Sequence, residues 1–146
     1  DNRISLEKKL VIAAKSNIID VIQKISNGLQ PVSQKTNGVS YCRKIIKEDG
    51  RIDFNETAKK IFDKYRAFSG WPGTFFEHNN TTIKVHGICT IETDNDDVPG
   101  TVLGVKKDGI HIKVRNSGIV ITHIQLPGKK IINYADIYNS YKHFFI

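Results

Sequence analysis

Asp94, Asp96 and Asp97 fall within four positions and are the first residues in this chain whose types suggest a cation site. A calcium loop needs oxygen donors at alternate positions and a closing bidentate Glu. Val98 stands at the fifth position and no Glu closes the loop, so a solvated acidic loop is expected. Glu48, Asp49 and Asp53 form a second acidic group, but Gly50 and Arg51 beside them favour a turn with a local ion pair. His78, His86, His111, His123 and His143 are scattered without metal-ligand or acid/base spacing, which predicts surface or packing roles. Cys42 and Cys89 are isolated and lack ligand spacing, so reduced, partly buried thiols are expected rather than a disulfide.

Other motifs carry little chemistry. Asn55-Glu56-Thr57, Asn79-Asn80-Thr81 and Asn80-Thr81-Thr82 match the N-glycosylation acceptor by chance in a chain without a secretory signal. Gly100, Gly104 and Gly109 lie on or between expected strands, whereas a phosphate cradle opens a helix. What remains is cationic. Lys106 and Lys107 sit in one expected hairpin, Lys113 and Arg115 on one strand face, and Lys129 and Lys130 directly follow Pro127-Gly128. Ammonium and guanidinium groups held by turns bind phosphates by displacing condensed counterions, with little sequence selectivity.

These side chains need a scaffold. Leu6, Leu10, Ile18, Ile22 and Ile25 recur at helical spacing, and Gly28 supplies a stop. Residues 13–17 interrupt the large apolar residues, leaving one kinked helix or two short ones open. Residues 29–36 read as an extended connector, 39–46 as a short strand or extended arm, and 47–50 as a turn. Asn55 is the expected cap of a second helix carrying Ala58, Ile61, Phe62, Tyr65 and Phe68, closed by Gly70, Pro72 and Gly73.

The period then changes to two. Ile83 and Val85 share a face, a shift near Gly87 marks a bulge, and Cys89 and Ile91 are expected to continue that face. Residues 101–105, 110–114 and 119–126 read as strands separated by Lys107-Asp108-Gly109 and Asn116-Ser117-Gly118, with His111, Lys113 and Arg115 outward. Short strands so closely spaced suggest a small barrel. Asn133 caps a last helix with Ile137, Tyr141 and Phe144 on its apolar side. The fold class expected is α+β, mainly β: a small OB-like β-barrel with flanking helices, preceded by a helical arm and linker.

Composition fits a soluble domain with a polyanionic partner. Across 146 residues, 22 Lys and Arg against 15 Asp and Glu give a formal charge of +7, with 39% hydrophobic and 25% charged residues. Apolar runs such as residues 10–14 fall far short of the roughly 20 residues of a membrane span. Lys8-Lys9 leads into a brief apolar run without a small-residue cleavage site, so no signal peptide is expected. The absence of Met and the start at Asp1 predict a piece of a longer chain.

The segment Lys44-Ile45-Ile46-Lys47-Glu48-Asp49-Gly50-Arg51-Ile52-Asp53-Phe54 resembles the K-I-x-K-E-D-G-x-I-D-W segment of methionyl-tRNA formyltransferases. The resemblance continues in register through Arg66-Ala67-Phe68, Trp71-Pro72-Gly73, Pro99-Gly100-Thr101-Val102-Leu103 and residues 125–130. Ser69-Gly70 stands where the family often has Asn-Pro, and Leu126-Pro127-Gly128 replaces a usual Pro-x-Gly. The resemblance implies that residues 1–28 are the terminal helix of a missing N-terminal formyltransferase domain, 29–54 the linker, and 55–146 the C-terminal OB-like tRNA-binding domain. It implies that the intact enzyme formylates initiator methionyl-tRNA from 10-formyltetrahydrofolate. The catalytic and folate-binding residues would lie outside this chain, so no cofactor, metal or catalytic residue is expected in it.

By the same resemblance, Lys129, Lys130, Lys106, Lys107 and Arg66 are candidates for tRNA phosphate contact, with Lys44 and Lys47 as linker candidates. Trp71 and Pro72 are expected to pack where helix meets barrel. The intact protein is expected to be a monomer that packs this region on its own catalytic domain, in the bacterial cytoplasm or the mitochondrial matrix and away from membranes. Two alternatives remain: the barrel of a related formyltransferase or hydrolase acting on a sugar nucleotide or folate, and a freestanding RNA-binding OB-like module.

Overall fold

A computed structural model describes residues 1–94 and 96–146, so the expected acidic loop lies partly outside the described residues at Asn95. The chain divides into two compact units, Asp1–Ile45 and Ile46–Ile146. In the first, helix α1 (Arg3–Ser26) runs unbroken. Ser5 N–H donates to the Asn2 side chain and Asn2 N–H to Ser5 Oγ, a reciprocal cap that satisfies two otherwise orphaned donors. The polar interruption does not divide the helix. Asn17 Nδ2 and Ser16 Oγ donate back to the Ala13 carbonyl, so these side chains bond to the helix itself. Gly28, at φ +90°, ends it, with Leu29 N–H donating to the Lys24 carbonyl. No α1 residue is buried, and the apolar stripe with Leu6, Leu10, Ile22 and Ile25 is exposed. Residues 39–46 form no strand.

The second unit is an antiparallel sheet with helices against it, an α+β fold. A 3-10 turn (Lys47–Gly50) leads to Ile52, which is buried and donates its N–H to the Phe75 carbonyl at 2.8 Å. Helix α2 (Ala58–Ala67) turns Ala58 and Ile61 into the core. Its cap is Thr57, whose Oγ1 accepts from Lys60 N–H, and not Asn55 as the sequence suggested. Asn55 is instead tied to Asp53, both its N–H and its amide donating to Asp53 Oδ1 at 2.9 Å. Those bonds hold the Asp53 carboxyl below its ordinary range.

Strands β1 (Thr74–His78), β2 (Thr81–Ile91), β3 (Val102–Lys106), β4 (Gly109–Val114) and β5 (Ser117–Gln125) pair in the order β1-β2-β5-β4-β3. A two-residue strand, β6 (Ile132–Asn133), adds to β5. Among the described residues the path is open, with β1 and β3 at its ends. Asn79 and Asn80, both at positive φ, make the tight β1–β2 hairpin that a right-handed strand twist favours. The bulge expected at Gly87 is present. A Cβ there would fall on Thr122 Oγ1 and 2.7 Å from His123 Nδ1, so only glycine lets β2 bend against β5.

The bulge also corrects the expected face. One extra residue moves the core position from odd to even numbers, so Ile83 and Val85 are followed by Ile88, while Cys89 is exposed. Cys42 is exposed as well, so neither thiol is partly buried. Ile83, Ile110, Ile112, Ile119, Ile121, Ile124 and Ile137 are fully buried and form the centre of the core, each contributing about 1.5–3 kcal/mol by leaving water.

Two further expectations are corrected. His111 and Lys113, read as outward, are only 7% and 6% exposed. His111 lies opposite buried Val120, and Ile110, Ile112 and Val114 are buried on the other side, so both faces of β4 are covered. Trp71 is 55% exposed and does not pack as an interior indole. The Asn133 cap is present, accepting from Ala135 and Asp136 N–H ahead of helix α3 (Tyr134–Ser140), which buries Ile137. A last short helix, α4 (Lys142–Phe145), buries Phe145.

Candidate nucleic-acid interface

Sheet register decides which cations meet. Ile110 of β4 pairs with Ile121 of β5, and β5 runs on to Gln125, which pairs with Lys84 near the start of β2. The β3–β4 turn, the end of β5 and the start of β2 therefore share one end of the sheet. That end presents Lys84, Lys106, Lys107, Lys129 and Lys130, all exposed. Arg115 lies at the opposite end, in the β4–β5 turn.

The Lys129-Lys130 turn is rigid for local reasons. Pro127 and Gly128 occupy its centre, with Gly128 at φ +70°, and Lys129 N–H closes it onto the Leu126 carbonyl at 3.0 Å. The Gln125 amide donates to the Lys129 carbonyl at 2.9 Å, and its oxygen lies 3.2 Å from His86 Nε2. This chain of bonds ties the turn to β2. No carboxylate forms an ion pair with Lys84, Lys129 or Lys130 among the described residues.

The β3–β4 turn is less purely cationic. Asp108 lies between Lys107 and Gly109, its carboxylate 2.8 Å from His111 Nε2. That hydrogen bond, with smaller help from Lys106, holds the Asp108 carboxyl below its ordinary range. Lys106 and Lys107 thus project beside a carboxylate already engaged from behind.

The remaining candidates separate. Arg66 is committed to Asp63, and its guanidinium lies 5.5 Å from the centre of the Phe62 ring. Lys59 and then Arg66 hold the Asp63 carboxyl below its ordinary range. Lys44 belongs to the first unit and Lys47 to the second. Lys47 lines an open pocket of about 260 Å³ that also borders Lys84 and His86. Lys84 and His86 were not reached from sequence as site residues, and Gln125 only as the first residue of a family-like segment. The signal of Lys84 and His86 was present only as the polar half of the β2 alternation.

No group of three or more His, Cys, Asp or Glu among the described residues is arranged to hold a metal ion. No helix among them is long and apolar enough to cross a membrane.

Residues 44–142 match the family model described as formyl transferase, C-terminal domain. The chain is 38% identical over 146 residues to the methionyl-tRNA formyltransferase of Finegoldia magna, covering 96% of this chain and 46% of that protein. It thus spans about half the length of this relative. Crystal structures of HypX from Aquifex aeolicus share the fold at 20% identity: one variant has a TM-score of 0.57, and the complex with tetrahydrofolic acid 0.56. Each covers 85% of this chain and 22% of the HypX chain. With the family model spanning most of the chain and the relative matching nearly all of it, the chain belongs to the formyl transferase C-terminal domain family.

Proposed function

We propose that this chain is the tRNA-gripping part of an enzyme that transfers a formyl group from 10-formyltetrahydrofolate to the amino group of initiator methionyl-tRNA. The observation that carries this reading is the 38% identity to a methionyl-tRNA formyltransferase along 96% of the chain. The lysines collected at one sheet end support a phosphate-binding role, because unpaired ammonium groups on rigid turns release counterions without first having to break ion pairs. The antiparallel sheet of short strands with its bulge at Gly87 supports an OB-like barrel.

In this reading the chain contributes affinity and orientation, while the folate donor and the catalytic groups belong to a preceding domain of the longer protein. The exposed stripe of α1 packs on that domain, and the intact enzyme works as a monomer in the cytoplasm or mitochondrial matrix. The experiment is a formylation assay of the longer gene product and of these 146 residues, each with the folate donor and methionyl-tRNA. Turnover by the longer protein and none by this chain is expected. Turnover by the chain itself, or none by either, overturns the proposal.

A further inference from the structure

The pocket behind the sheet end has features that phosphate contact alone does not use. Its wall includes Lys47, Lys84, His86, Tyr65, Phe68 and Thr74. Cations and aromatic rings thus border the same space, and no carboxylate lines it. Tyr65 is fixed there by donating its hydroxyl to the His86 carbonyl at 2.9 Å. Thr74 is 3% exposed, and its Oγ1 is buried with no hydrogen-bond partner among the described residues.

We infer that this pocket receives one unpaired nucleotide of a bound RNA, its base against the Tyr65 and Phe68 wall and its phosphate between Lys47 and Lys84. This deepens the tRNA reading above and rests on it. Three physical points select this ligand class. At about 260 Å³ the open pocket has room for one base-sized group and not for a run of stacked bases. A base offers its faces to aromatic rings only when it is unstacked from its neighbours, so a paired helix cannot use this wall. The pocket also adjoins the cationic sheet end through His86, Gln125 and Lys129, so a strand held on the lysines leads into it.

Trp71 is the sole tryptophan and sits between Gly70 and Pro72, which line the pocket, so its emission reports on occupancy. The test titrates the chain with a blunt RNA duplex, with the same duplex carrying a short single-stranded overhang, and with adenosine monophosphate. Wild type is expected to bind the overhang RNA more tightly and to change Trp71 emission with that RNA alone.

Lys84→Ala is expected to lose about fivefold more affinity for the overhang RNA than for the blunt duplex, the share of one phosphate contact at about 0.15 M salt. Lys84 is exposed, so this variant keeps the fold, and unaltered circular dichroism checks it. Equal losses on both RNAs, or none, would make Lys84 an ordinary surface charge and overturn the inference. Adenosine monophosphate binding as tightly as the overhang RNA would reassign the pocket to a free nucleotide and also overturn it. The paired variant Lys129→Ala/Lys130→Ala separates the two levels. If it weakens both RNAs equally while Lys84→Ala shows no selectivity, only the pocket inference fails. If it changes nothing, the tRNA reading fails and the inference falls with it.

Discussion

Replacing Lys129 and Lys130 together by Ala removes two of the five lysines that the register places at one sheet end. Neither is in an ion pair among the described residues, so their loss uncovers no buried carboxylate. The turn backbone is held by Pro127, Gly128 and the Lys129–Leu126 bond, which alanine leaves in place. Each phosphate contact contributes about 0.9 to the slope of log affinity against log salt. Two contacts acting over the roughly 0.8 decade between molar and about 0.15 M salt amount to roughly thirtyfold in affinity. The assay is fluorescence anisotropy of labelled initiator tRNA at several salt concentrations. The variant should lose about two units of slope and weaken all RNAs alike. Arg115→Ala, at the far end of the sheet, should leave the slope unchanged. A double variant with the wild-type slope, or an equal effect from Arg115, would falsify the assignment of this end as the phosphate-binding edge.

Other outcomes probe the scaffold. Gly87→Ala should lower the thermal midpoint, because its Cβ meets Thr122 and His123 and overpacking costs about 1–3 kcal/mol. Ile121→Ala should cost about 2–5 kcal/mol in urea unfolding, since the site is fully buried and its neighbours cannot collapse freely. A loss well under 1 kcal/mol would mean that this part of the core repacks. Asp108 has a lowered carboxyl pKa, so its pairing with His111 stabilises the fold above the ordinary value of 3.8 and is lost as pH falls through the lowered folded value. Asp108→Asn should therefore flatten the acid limb of stability against pH, and an identical limb would assign that limb to other carboxyls.

The parts legible in the sequence are those governed by local pattern. The α1 and α2 stripes, the Gly87 bulge and the Asn133 cap each follow from a few neighbouring residues, and each is present. The errors arise where a distant partner or a choice between equal signals decides. Asn55 and Thr57 are both good caps, and Asp53 claims Asn55. At the bulge, periodicity alone did not say that the core moves to Ile88. His111 and Lys113 looked solvated because their strand alternates, yet both faces of β4 are buried, which alternation along one strand does not reveal. Trp71 was expected by resemblance to pack where helix meets barrel, yet it is more than half exposed.

The candidate site was half legible for the same reason. Lys106-Lys107 and Lys129-Lys130 stand out as doublets in turns, so local sequence found them. Lys84 and His86 look like the ordinary solvent side of β2. Only the Lys84–Gln125 register brings them beside the Lys129 turn. Arg66 shows the converse, since a conspicuous cation in a family-like segment is already engaged by Asp63 three residues earlier.

The most direct test of the central claim is an amide chemical-shift map of this chain titrated with initiator methionyl-tRNA. Shifts clustered at residues 84–86, 106–107 and 125–130, fading as salt rises, are the predicted result. Shifts centred on Arg115 and the β4–β5 turn, or none at low salt, would contradict it.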